Sequence, residues 1–206
     1  MLAAASLGGQ TFEGTVVAKM PMFGTGDLTY RIKGDKSATT MSMGGMEARL
    51  ITDQTAGTTT MLIPMAMGNS KGMKMVIDMK KEAAKMNGKP AVIKPLGTSE
   101  TIAGYKCENI EITSDQSVTV ACISRQLGGF SFTGGGIMGR GGNGTPSWAS
   151  VLGGRPGFPL RVTGSDGKLI FEVTSVHPGS ISADVFAIPE GYGDMSNFGG
   201  RRGGGL

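Results

Sequence analysis

Residues 106–123 read KCENIEITSDQSVTVACI. On both sides of Thr113-Ser114-Asp115-Gln116 the chain alternates polar and apolar residues and is rich in Ile, Val and Thr. That pattern predicts two antiparallel strands, over about 105–113 and 117–123, joined by a turn. With Ser114-Asp115 as a two-residue loop, Cys107 and Cys122 face each other across the hairpin. Opposed residues of antiparallel strands have Cα atoms about 4.5–5.5 Å apart, within the range of about 4.4–6.8 Å that a disulfide spans. The spacing predicts a cross-strand disulfide, two buried free thiols being the alternative. A structural disulfide belongs to an oxidising compartment. The small residues of Met1-Leu2-Ala3-Ala4-Ala5-Ser6 agree with that address, reading as the tail end of an export signal.

Working outward, the same short alternating segments recur. TFEGTVVAKM (11–20), DLTYRIK (27–33), residues 36–43, EARLITD (47–53), TTTMLIPM (58–65) and KGMKMVID (71–78) are separated by turn residues every 8–12 positions, the signature of an antiparallel meander. Strands resume at about 101–112 and 117–124, and FPLRVTG and GKLIFEVTSV flank a Ser165-Asp166-Gly167 turn. Two short helices interrupt the pattern. One spans about 78–87, with Asp78 as N-cap, Met79, Ala83 and Met86 on one face, and Gly88 and Pro90 as its stop. The other is Pro146–Leu152, around Trp148. The expected class is mainly β (α+β): a curved antiparallel sheet with the two helices as a lid. The expected organisation is a residual leader over 1–10, one domain over 11–195 with a glycine-rich insertion at 128–157, and a glycine-rich tail over 196–206.

Composition removes several function classes. Glycine is 36 of 206 residues without a three-residue period, so the chain is no collagen. No apolar run approaches the ~20 residues of a transmembrane helix, so no transmembrane segment is expected. The seven lysines of 71–94, set against Asp78 and Glu82, come without one aromatic, which argues against nucleic acid and for a solvated face or an anionic headgroup layer. His177 is the one histidine. Gly134-x-Gly136-x-x-Gly139 matches a dinucleotide fingerprint by letter but is followed by no helix to hold a pyrophosphate. No spacing marks a catalytic pair, so no enzyme activity, catalytic residue, metal ligand set or cofactor is assigned.

The methionines, 15 in all, are the informative excess. Met41-x-Met43, Met65-x-Met67 and Met73-x-Met75 each place two thioethers on one strand face. Three readings follow: adaptable core filling, a re-packable wall for an apolar ligand, or a copper(I) site built on soft thioethers.

The stretch Thr98–Cys107 (TSETIAGYKC), the second cysteine after a hairpin, Phe158–Val162 (FPLRV), Val185–Tyr192 (VFAIPEGY) and the opening Phe12-Glu13-Gly14 together resemble the bacterial family called domain of unknown function 4412, over about 11–195. That family is similar to the LolA/LppX-like lipoprotein carriers, which are exported envelope proteins with an open half-barrel closed by helices over an apolar cavity. The resemblance implies a periplasmic, Gram-negative, non-enzymatic carrier or binding module for a lipid or lipoprotein acyl chain. Met41, Met43, Met65, Met67, Met73, Met75, Trp148 and Phe158 would contact the chain, and the lysines of 71–94 would meet headgroups. The alternative is an envelope scaffold with a filled core that meets a protein partner.

Overall fold

In Glu13–Lys19 (β1) and Asp27–Lys33 (β2), Val16, Ala18, Leu28, Tyr30 and Ile32 point to one side and are buried, while the residues between them are not. That period of two makes each segment a strand with one face for the interior. The structure, a computed structural model, describes residues 12–21, 27–43, 46–65, 70–81, 91–114, 117–129, 147–152 and 157–195. The other strands are Lys36–Met43 (β3), Met46–Asp53 (β4), Thr58–Ile63 (β5), Gly72–Asp78 (β6), Val92–Ile102 (β7), Tyr105–Ser114 (β8), Ser117–Ser124 (β9), Phe158–Gly164 (β10), Leu169–Pro178 (β11) and Tyr192–Asp194 (β12). Ser147–Leu152 is a helix (α1) and Ala183–Phe186 a 3-10 turn. No helix among the described residues is long and apolar enough to cross a membrane.

All twelve strands form one open sheet in the order β12-β6-β5-β4-β3-β2-β1-β11-β10-β9-β8-β7. It consists of two antiparallel meanders, β1–β6 and β7–β11, joined where β1 pairs with β11. The sheet is concave. Phe12, just before β1, and Tyr105, at the start of β8, have ring centroids 6.4 Å apart. Those strands are four spacings apart in the sheet, about 19 Å if it were flat. Two aromatic side chains cannot bridge that gap, so the sheet curls. The curl coincides with breaks in register on β1/β11, β10/β11, β9/β10 and β7/β8, and such bulges bend strands. Gly14 is required at the start of β1, because a Cβ there would stand 2.5 Å from the His177 carbonyl oxygen and 2.8 Å from the Phe12 ring.

The C-terminal segment straps the convex face of the first meander. Leaving β11, Ile181 donates its N–H to Glu13 Oε1 (2.6 Å) and accepts from Lys33 Nζ (3.0 Å). The 3-10 turn, capped by Ser182, packs on β3. Ser70 Oγ then accepts from Gly193 N–H (3.1 Å), Lys71 N–H donates to the Gly191 carbonyl (2.9 Å), and β12 pairs parallel with β6. Ala38, Ile51, Thr60 and Leu62, on the convex side of β3–β5, are consequently buried as well.

The disulfide Cys107–Cys122 is present, with Cα atoms 5.2 Å apart and both residues in the main apolar cluster. The expected register is not the one formed. Ser114 pairs with Ser117, supported by Ser114 Oγ donating to the Ser117 carbonyl (3.2 Å), so the loop lies one residue further on. Cys122 therefore faces Asn109, and the disulfide is a diagonal link just past the last ladder pair, Glu108 with Ile123. A second correction concerns β7, which begins at Val92 rather than near 101. Pro95 and Gly97 hide it, residues tolerated in a strand at a sheet edge or bulge, and β7 is the sheet's last strand with a register break between Pro95 and Ser99. Its hairpin to β8 turns on Ala103 and Gly104, both at positive φ.

Two outcomes follow. Replacing both cysteines with serine should lower unfolding free energy by about 3 kcal/mol, the chain-entropy value for a loop near 15 residues, measured by denaturant titration, and the native unreduced protein should show no reactive thiol. The Ile181 hydrogen bond and the Lys33 ammonium hold the Glu13 carboxyl below its ordinary pKa. A depressed folded-state value gives stability that is present above the unfolded pKa and lost as pH falls through the folded one. Amide-exchange protection at Ile181 should therefore drop on acidification through the carboxylate range, and Glu13→Gln should flatten that dependence.

Candidate functional site

Register places the methionines of the first meander on the concave face. Tyr30 pairs with Thr39, Thr39 with Leu50, Leu50 with Met61, and Met61 with Met75, forming one continuous row across β2–β6. One step along, Met41 pairs with Ala48, and Ile63 with Met73. One step the other way, Ser37, Thr52, Thr59 and Ile77 form a third row, in which Thr52 and Thr59 share a hydroxyl–hydroxyl hydrogen bond of 3.0 Å. The face is thus a band rich in thioethers and aliphatics, bordered by a row in which the Thr52 and Thr59 hydroxyls satisfy each other.

Burial is graded along this band. Met61 (1% exposed) and Met41 (7%) are interior, whereas Met73 and Met75 on β6 are half-buried. Met65 is also half-buried, but β5 ends at Ile63, so Met65 follows the strand rather than belonging to it. Met67 and the side chains of Met43 and Trp148 lie outside the described residues. At the other end of the band Tyr30 meets Phe158 edge-on at 5.3 Å and Phe171 at 6.5 Å. Phe158 is therefore part of an interior aromatic cluster at the seam between the meanders. Burial pushes the Tyr30 phenol well above its ordinary pKa, so it stays protonated.

The expected lid elements are placed in part. α1 contributes Ala149 and Leu152 to the main cluster and packs against β8. Residues 79–81 begin a helix on Asp78, whose Oδ1 accepts from the N–H groups of Lys80 (3.0 Å) and Lys81 (3.1 Å). Its expected continuation to residue 87 lies outside the described residues. Lys71, Lys80, Lys81 and Lys94 are exposed. His177 is exposed on β11 and bonded to Ser175 Oγ (3.1 Å). On the outer side of the second meander Arg161 joins Glu172 (3.0 Å) and Glu100, an arrangement that raises the guanidinium pKa further. Among the described residues no group of three or more His, Cys, Asp and Glu could hold a metal ion.

Comparison with known proteins agrees with this architecture. The family described as Domain of unknown function (DUF4412) matches residues 12–192. The chain belongs to the DUF4412 family. No curated protein matches it. Two solved structures of PNGF-II are similar: the C2 crystal form at TM-score 0.53 and 16% identity, over 89% of this chain and 30% of that one, and the P21 form at 0.55 and 14%, over 92% and 32%. This DUF4412 chain thus spans about a third of the length of those structures, and the likeness is one of fold.

Met61 is the residue that sequence reasoning left out of the wall. Its segment, TTTMLI, is buried at four successive positions because the strap covers the convex side. A strand buried on both faces loses the alternation that would have shown which way Met61 points. Met61→Leu should cost under about 1.5 kcal/mol, a near-volume-conserving change, and Met61→Ala about 2–5 kcal/mol, both read by denaturant unfolding.

Proposed function

We propose that this chain is a non-enzymatic, exported cell-envelope module that holds an apolar ligand, an acyl chain of a lipid or lipoprotein, against the methionine band of its concave sheet. The observation that carries the reading is the alignment of Met41, Met61, Met73 and Met75 on one face, graded from interior to half-buried. Unbranched thioether side chains repack around ligands of varied shape. An acyl chain laid along the band exchanges water for hydrocarbon at about 0.8 kcal/mol per CH₂. The half-buried β6 end is the entry, and the exposed Lys71, Lys80 and Lys81 close to it suit an anionic headgroup. The disulfide supports an oxidising, periplasmic address. The open concave sheet is compatible with a half-barrel of the LolA/LppX kind, with α1 and the segment starting at Asp78 as lid.

A second reading has its own observation. The Tyr30–Phe158–Phe171 cluster fills the seam of the trough with the protein's own rings. It favours an envelope scaffold whose core is complete without a ligand and whose partner is another envelope protein. Native mass spectrometry of protein purified without detergent separates the two. The carrier reading expects co-purified lipid or saturable binding of a fluorescent fatty acid, weakened when Met73 and Met75 are replaced together by aspartate. An empty protein that ignores the fatty acid supports the scaffold and removes the carrier.

A further inference from the structure

Two thioethers at directly opposed positions of adjacent strands, with a third two residues along, form a compact soft-donor set. Met61 and Met75 are opposed across β5 and β6, and Met73 shares their face at the next inward-facing position of β6. Opposed Cα atoms lie about 4.5–5.5 Å apart, and the i, i+2 separation along a strand is about 6.6 Å. Flexible methionine side chains at those positions can converge on one point above the sheet. Among the described residues there is no His, Cys, Asp and Glu cluster and no free cysteine. A hard or borderline ion such as Mg²⁺ or Zn²⁺ therefore finds no carboxylate, imidazole or thiolate set here, whereas thioethers select copper(I).

The neighbouring positions sharpen the case. Leu50, Ile63 and Ile77, on the same face, meet its packing needs with plain aliphatics, while three of the four thioethers of the band, all but Met41 on β3, stand together on β5 and β6. Met61 is interior and Met73 and Met75 are half-buried, so the donors run from the core to the sheet's open end, where an ion can enter. We propose that Met61, Met73 and Met75 form a binding site for copper(I). This function goes beyond acyl binding and rests on sulfur rather than on apolar volume. A thioether has no proton to lose, so binding here does not depend on pH through the acid range, unlike a site built on thiolate or imidazole.

The test is an anaerobic titration of the full chain with copper(I) against a competing chelator, repeated with silver(I) as a redox-inert stand-in while methionine methyl resonances are followed. The expected result is one bound ion, shifts at the methyls of Met61, Met73 and Met75, and an affinity unchanged between neutral and mildly acid pH. Met73→Leu and Met75→Leu should each lower affinity at least about tenfold, the smaller loss typical of even outer-shell changes. Fatty-acid binding by the wild-type chain is measured in parallel, and a wild-type protein that takes copper(I) but no fatty acid, or fatty acid but no copper(I), makes this proposal and the carrier reading fail separately. Wild-type protein that binds no better than the Met61→Leu/Met73→Leu/Met75→Leu variant, methyl shifts confined to other methionines, or affinity that collapses on mild acidification would each overturn it.

Discussion

The pairing of β1 with β11 is the contact on which the architecture depends. It joins the first strand of one meander to the last strand of the other, some 160 residues apart in sequence. Without it each meander would be a separate sheet with an apolar face that has to be buried against another element. With it, the inner residues of both halves share one cluster, in which Ala18 on β1 lies opposite Val173 on β11 and Val16 opposite Val176. The bulge between Val17 and Ala18 sits at this seam, and the aromatic cluster of Tyr30, Phe158 and Phe171 spans it. Curvature, core and candidate site all follow from closing this joint.

The two halves of the trough then take different characters. Around the seam, rings and small aliphatics pack to near-zero exposure. Toward β6 the lining turns to methionine and the burial relaxes. Stability is concentrated where shape is fixed, and adaptable side chains stand where something could enter. The carrier and copper(I) proposals draw on the second region alone, whereas the scaffold reading draws on the filled seam.

Most of the strands could be read from alternation in the sequence, and β1 and β2 carry it into the structure, each burying one side in a period of two. The disulfide was readable from spacing, but its register was not, because the choice between two adjacent loop positions rests on one serine hydroxyl. β7 escaped because an edge strand needs neither alternation nor freedom from proline, and most of it is exposed, Val92 at 65%. The shared face of the thioethers could be guessed from the Met-x-Met spacing. That Met61 belongs to this face could not, because β5 is buried on both sides once a segment that arrives more than a hundred residues later in the chain covers it, and its alternation is lost.

The late arrival of that strap has a kinetic consequence. β6 is formed by local hairpin contacts with β5, yet its outer edge is covered only when β12 docks, and β12 is contributed by residues 192–194. During synthesis the first meander therefore has a bare, methionine-rich margin until nearly the whole domain has emerged. An unpaired margin of this kind recruits other strands and favours aggregation. A chain so arranged benefits from being held extended by chaperones until the final segment is available to close it.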